Sequence, residues 1–230
     1  MKLGFTLSLG ALLCSLSGAL SAEPVAVDRA VVRFVAPETG GARRPRFVFE
    51  RELAFEARLE ALSDPDRSAL GDAPYRDRHI TAALNRHIAE TILGTLRIEP
   101  EPSQAELEHQ SDLAHRMLSD RAGGEDALDA ARRAEGISER EFGRLLAQKA
   151  RASLYLDRMV SPMLQPSEAE LRSIHKSTST PFANAPFDTI RPALLRWYVS
   201  RRLNAALATF FENARSRIEV TLLPSAGSAR

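Results

Sequence analysis

The side chains that could carry chemistry are few, and their spacing decides what they could do. His79 and His87 lie eight residues apart in a stretch of helical pattern, so both fall roughly on one face, as paired metal ligands do. That separation is too wide for one ion, and no carboxylate or cysteine stands out as a further ligand. Both are expected to be surface or core-edge histidines. Asp112 with His115, and Glu170 with His175, are close enough along the chain to suit acid–base work. Such pairs arise often on charged helices, and neither is expected to be catalytic. There is no H-E-x-x-H, no G-x-S-x-G and no glycine-rich phosphate loop. The reading is a non-enzyme with no catalytic residues, no metal site and no cofactor.

What remains chemically distinctive is a set of broad or adaptable apolar side chains: Phe55, Met117, Tyr155, Met159, Met163, Trp197, Tyr198 and Phe211. A helical surface that leaves such groups uncovered can hold extended polypeptides, because methionine adapts its shape and aromatic rings present wide faces. Apolar residues at helical spacing more commonly face inward, so each of the eight is weighed against simple packing.

The elements that must position these groups are announced by their starts. Ser138 with Glu141 has capping-box spacing, and Phe142, Leu145, Leu146, Leu156, Val160 and Met163 then form a stripe interrupted by Lys149 and Ser153. The pattern predicts one long helix ending near Pro162, and the chain looks organised around it. Ser103 with Glu106 and Ser167 with Glu170 repeat the box. Leu107, Gln110, Ala114, Met117 and Leu118 are expected on the inner face of the helix that Gly123-Gly124 ends, and a short helix closes at Gly136. Further helices are expected over Glu50 to Leu62, from about Ile80 to near Pro100, and from about Phe187 to Arg217, with Pro192 tolerated in the first turns of the last.

Strand patterns flank this helical middle. Val25 to Val35 and Phe47 to Phe49 are rich in β-branched and aromatic residues, with a turn and the basic cluster Arg43, Arg44 and Arg46 between them. That cluster is read as a solvated loop. Ile218 to Leu223 alternates like another strand, and residues 225–230 read as a disordered tail. Residues 1–22 have the form of a secretory signal peptide, an apolar small-residue run behind Lys2 with cleavage expected after Ser21 or Ala22. Cys14, the only cysteine, lies within it, so the expected mature chain has no thiol and, after cleavage, no membrane span. With 31 Lys and Arg against 30 Asp and Glu, the balance argues against a nucleic-acid partner, and 44% hydrophobic residues allow a single folded domain over 23–224.

In their order these elements resemble the SurA/PpiC-type family of periplasmic chaperones and peptidyl-prolyl isomerases. The likeness rests on a Val-Asp-Arg-Ala-Val-Val strand at 27–32, Arg86-His87-Ile88-Ala89-Glu90, the three boxes opening at Ser103, Ser138 and Ser167, and a closing helix through Phe210-Phe211 to Ile218. It implies a mainly α fold, a SurA N-terminal-like module in which strand 218–223 returns to strand 27–35. The family's isomerase domain, about a hundred residues as in an ordinary small domain, would fall between the helix from Ser167 and the last helix. Here only residues 177–186 stand in that place, so no family catalytic residue transfers. The implied function is a periplasmic holdase for unfolded outer-membrane or secreted polypeptides without isomerase activity. The alternative is an envelope adaptor or structural protein binding one defined folded partner. Nothing in the pattern fixes an oligomeric state.

Overall fold

Strand β1, Ala30–Val35, lies at the centre of a three-stranded antiparallel sheet, between β2, Arg46–Phe49, and β3, Glu219–Leu222. The computed structural model describes residues 28–67, 73–177, 180–182 and 184–224, with the side chains of 210–215 left aside. The expected signal peptide 1–22, the beginning of the expected first strand at Val25 to Val27, and the expected tail 225–230 lie outside the described residues. The return of the late strand to the early one is present: Val32 faces Leu222 and Phe34 faces Val220 in register. The sheet buries one face, because alternate residues Val32 and Phe34 both point to the core while Arg33 does not.

Seven helices complete a mainly α fold among the described residues: α1 Glu50–Leu62, α2 Asp77–Thr95, α3 Gln104–Ala122, α4 Glu125–Ala134, α5 Glu139–Tyr155, α6 Glu168–Lys176 and α7 Phe187–Arg215. The three serine boxes start α3, α5 and α6 as their spacing predicts. The hydroxyls of Ser103, Ser138 and Ser167 accept the N–H of Glu106, Glu141 and Glu170. In the first two the carboxylate returns to the serine N–H, at 2.8 and 2.9 Å. In the third the Glu170 carboxylate accepts the Tyr198 hydroxyl of α7 instead, at 2.8 Å, and joins the last helix to α6. Gly123 and Gly136, at φ 94° and 66°, end α3 and the α4 segment in the left-handed region that glycine enters without penalty.

The helix at the centre is α1, and not the long stripe from Ser138. It is buried nearly all round, and its two sides serve two cores. Leu53 and Ala57 join the sheet and α2 residues Ile88 and Ile92, while Phe55 and Leu59 join α3, α4 and α5 through Leu118, Leu128, Phe142 and Leu145. Its charges remain buried only because distant partners meet them. Arg58 pairs with Glu135 at 2.5 Å, Arg51 with Glu141 at 2.8 Å, Glu52 with Arg144, and Glu60 with Arg86 and Arg121. Buried charges persist in proteins when they are paired in this way.

Some boundaries differ from the pattern. The α-helical winding of α5 stops at Tyr155, and the chain continues through a wider π turn, Leu156–Val160, and a 3₁₀ turn, Ser161–Leu164. Pro162 has no N–H for the carbonyl four residues back, and its ring crowds that turn, so regular winding is lost before it. Helix α2 ends at Thr95 and short of Pro100; the Thr95 hydroxyl donates to the Ile92 carbonyl at 2.7 Å and Ile98 turns into the core. Helix α7 stops at Arg215.

Candidate binding groove

Three helices that meet side by side, α2, α3 and α5, leave a groove of about 830 Å³ between their outer faces. Ala89 and Leu93 of α2, Leu113, Ala114 and Met117 of α3, and Ala152 of α5 give it an apolar lining. Leu207 and Ala208 of α7 close it from the opposite side, and Ile218 and Val220 bring the third strand to its edge. Helix α7 reaches this position because its first turns are held elsewhere. Arg191 pairs with Glu168 at 3.0 Å, Tyr198 bonds Glu170, and Leu194 is fully buried. Beyond Tyr198 the helix is largely exposed along Ser200 to Thr209, so it spans the groove without being packed into it.

The floor carries charge. Lys149 and Glu90 line the groove, and behind them lie Glu56 and His87. Lys149 Nζ donates to Glu56 Oε1 at 2.9 Å and to Glu90 Oε2 at 2.5 Å, and His87 Nδ1 stands 3.2 Å from Glu56 Oε2. Burial alone would raise the Glu56 carboxyl, but the Lys149 charge and the His87 hydrogen bond hold it down at about 2. Glu90 is pushed up, by burial first and by the Glu56 charge, against the pull of Lys149. Burial would lower Lys149 and His87, yet the neighbouring carboxylates outweigh it and both are raised. The cluster is therefore an ionised carboxylate sharing a lysine with a second carboxylate, with an imidazole beside it that charges more readily than a free histidine.

Of the surface or core-edge reading of both histidines only the second half stands, and the acidic partners that the pattern did not show are present. His87 is buried at 5% exposure with an acidic partner from α1, and His79 at 4% with Nε2 2.8 Å from Asp64. Neither is a surface residue. Of the paired residues near in sequence, His115 bonds Glu125 at 2.8 Å and not Asp112, and His175 bonds the Ala185 carbonyl at 2.9 Å and not Glu170. Among the described residues no group of three or more His, Cys, Asp or Glu is placed to hold a metal ion, and no helix is long and apolar enough to cross a membrane.

The eight candidate contact residues separate. Met117 lines the groove and is 70% exposed, so it is not on the inner face of α3 as expected, whereas its neighbour Leu118 is buried there as expected. Phe55 is fully enclosed, its ring edge-on to Phe142 at 6.1 Å, and is a core residue with no surface to offer. Tyr155 ends α5 and Met159 and Met163 follow it, the first two half-buried and Met163 72% exposed. Trp197 and Tyr198 are half-buried on α7, where Trp197 meets Phe182 edge-on at 6.4 Å. The side chain of Phe211 lies outside the described residues. Leu113, Ala114 and Val220 were not in the set, although Lys149 and Ser153, the two polar breaks in the α5 stripe, both line the groove and mark the face where that helix leaves the core.

A second depression of about 540 Å³ at the start of α5 is lined by Ser138, Arg140, Glu141 and Arg144; the polar groups of Ser138, Glu141 and Arg144 already serve the helix cap and its ion pairs. Compared with known proteins, the chain matches no family model, no curated protein and no solved structure.

Proposed function

We propose that this protein is a holdase of the cell envelope, exported to the periplasm, which binds unfolded outer-membrane or secreted polypeptides in the groove between α2, α3, α5 and α7 and performs no catalysis. The observation that carries the reading is the groove itself: its volume falls in the range of binding clefts, roughly 300–1,000 Å³, and its lining is more apolar than polar, with Arg86, Glu90, Arg121 and Lys149 as its charged members. An accommodating rim supports it. Met117 contributes a flexible thioether, and α7 crosses as a lightly packed span that can shift to admit side chains of different size. The likeness of the element order to the SurA/PpiC-type family points the same way, and the place of that family's isomerase domain holds only a short linker.

The test is light scattering from a chemically unfolded outer-membrane β-barrel protein diluted with and without this chain, with a proline-isomerisation assay on the same sample. Suppression at near-equimolar ratio with isomerisation at background is expected. A saturable folded ligand with no effect on unfolded chains would replace the reading with an envelope adaptor. Robust isomerase activity would replace it with an enzyme.

A further inference from the structure

Among the described residues the outer edge of the rim strand β3 has no partner strand, and its register says which groups face it. The Leu223 N–H donates to the Val31 carbonyl at 2.9 Å, which makes Val31 and Leu223 a hydrogen-bonded pair. In an antiparallel ladder such pairs alternate, so Arg33 with Thr221 and Val35 with Glu219 are hydrogen-bonded, while Val32 with Leu222 and Phe34 with Val220 are not. The N–H and C=O of Val220 and Leu222 therefore point away from β1, towards the open edge. Their side chains stand on the same face as Val32 and Phe34, the core face of the sheet, but beyond the helices that cover it: Val220 is 45% exposed and Leu222 74%. The groove begins at Val220. The strand has no register break, lysine or internal proline to discourage pairing.

We infer that β3 takes an extended segment of the bound polypeptide as a fourth strand, its backbone paired to Val220 and Leu222 and its alternate apolar side chains turned into the groove. The inference rests on the holdase reading and specifies how the client is held. Outward donors and acceptors that repeat every second residue are matched by an extended peptide backbone, and such pairing is independent of client sequence. The pleat adds a preference: residues i and i+2 of the client share the face of Val220 and Leu222, so segments alternating between apolar and polar residues fit best. A second copy of this chain is a poorer occupant, because a four-residue strand buries far less than the roughly 1,200 Å² that a stable pair of proteins needs.

Leu222→Pro tests this without disturbing the β1 ladder, since the N–H it removes faces the open edge and proline is tolerated there. Thr221→Pro, which removes a ladder donor, is the contrasting variant. The readout is fluorescence anisotropy of a labelled peptide of alternating valine and serine with terminal lysines, titrated with the purified protein. Expected is a loss of at least tenfold in affinity for Leu222→Pro at unchanged melting temperature, and less than threefold for Leu222→Thr, which keeps the N–H. The same peptide N-methylated through its central residues should bind the wild type at least tenfold more weakly, a measurement that needs no variant to fold. Equal binding of the methylated and plain peptides would overturn strand addition while leaving the groove reading intact. Binding abolished by Met117→Glu but untouched by Leu222→Pro would overturn it likewise. No binding of either peptide or of any unfolded chain would overturn both readings, and a concentration-dependent dimer lost in Leu222→Pro would assign the edge to self-pairing.

Discussion

Replacing Lys149 by methionine should remove the cation shared by Glu56 and Glu90 and expose how far the buried cluster sustains the fold. The three side chains are 11%, 4% and 20% exposed, so little water is available to take the place of the ammonium. Breaking a buried pair by deleting one partner costs about 3–5 kcal/mol. Two features moderate the loss: His87 still bonds Glu56, and Glu90, already raised, can accept a proton at about 1.4 kcal/mol per pH unit. The expected destabilisation is about 3 kcal/mol at pH 8, within the roughly 5–15 kcal/mol of a typical domain. The sign with pH follows. Two carboxylates facing each other without a cation have folded pKa values above their unfolded ones, so the variant regains stability as pH falls and its deficit should shrink towards pH 5. Urea denaturation followed by circular dichroism at both pH values measures it. A companion variant, Glu56→Gln with Glu90→Gln and Lys149→Met, should recover to within about 1 kcal/mol of wild type, because a neutral replacement of the whole cluster leaves no unpaired charge. A deficit under 1 kcal/mol at pH 8, or one that grows on acidification, would refute the buried cluster.

Three further outcomes follow from the same structure. His87 is raised above the ordinary 6.5, burial being outweighed by Glu56, so its contribution is complete below the unfolded value and is lost as pH rises through the folded one; the urea midpoint should fall from pH 6 to pH 8, and His87→Asn should flatten that slope. Phe55→Ala should cost about 3–5 kcal/mol in denaturant unfolding and Met117→Ala less than about 0.5 kcal/mol, because the first empties a closed core position and the second trims an exposed side chain. Ser138→Ala should cost about 1 kcal/mol by the same measurement, through loss of the α5 cap.

Local signals were the legible ones. Three serine boxes placed three helix starts, since each is complete within four residues, while β-branched residues placed β1 and alternation placed β3. The central role of α1 was hidden by its own charges. Glu52 and Glu56 look like surface residues until Arg144 and Lys149 arrive from more than ninety positions later in the chain. The same distance concealed the partners of His79 and His87, which stand 15 and 31 residues away. For α3 the stripe was drawn too wide: Met117 and Leu118, about 100° apart around the helix, were both expected inward, and packing buries Leu118 while leaving Met117 in the groove. The groove was partly legible, because Lys149 and Ser153 interrupt the α5 stripe where that helix faces it. Its other walls, α7 and β3, come from parts of the chain that no local pattern joins to α3.

The most direct test places a photo-crosslinking amino acid at Met117, inside the groove, and at Arg140, at the start of α5, and illuminates each protein with an unfolded outer-membrane β-barrel protein and with the same client folded in detergent. Crosslinking to the unfolded client at Met117, with little at Arg140 and none to the folded form, is the predicted result. Equal capture at the two positions, or capture of the folded client at Met117, would contradict the holdase groove.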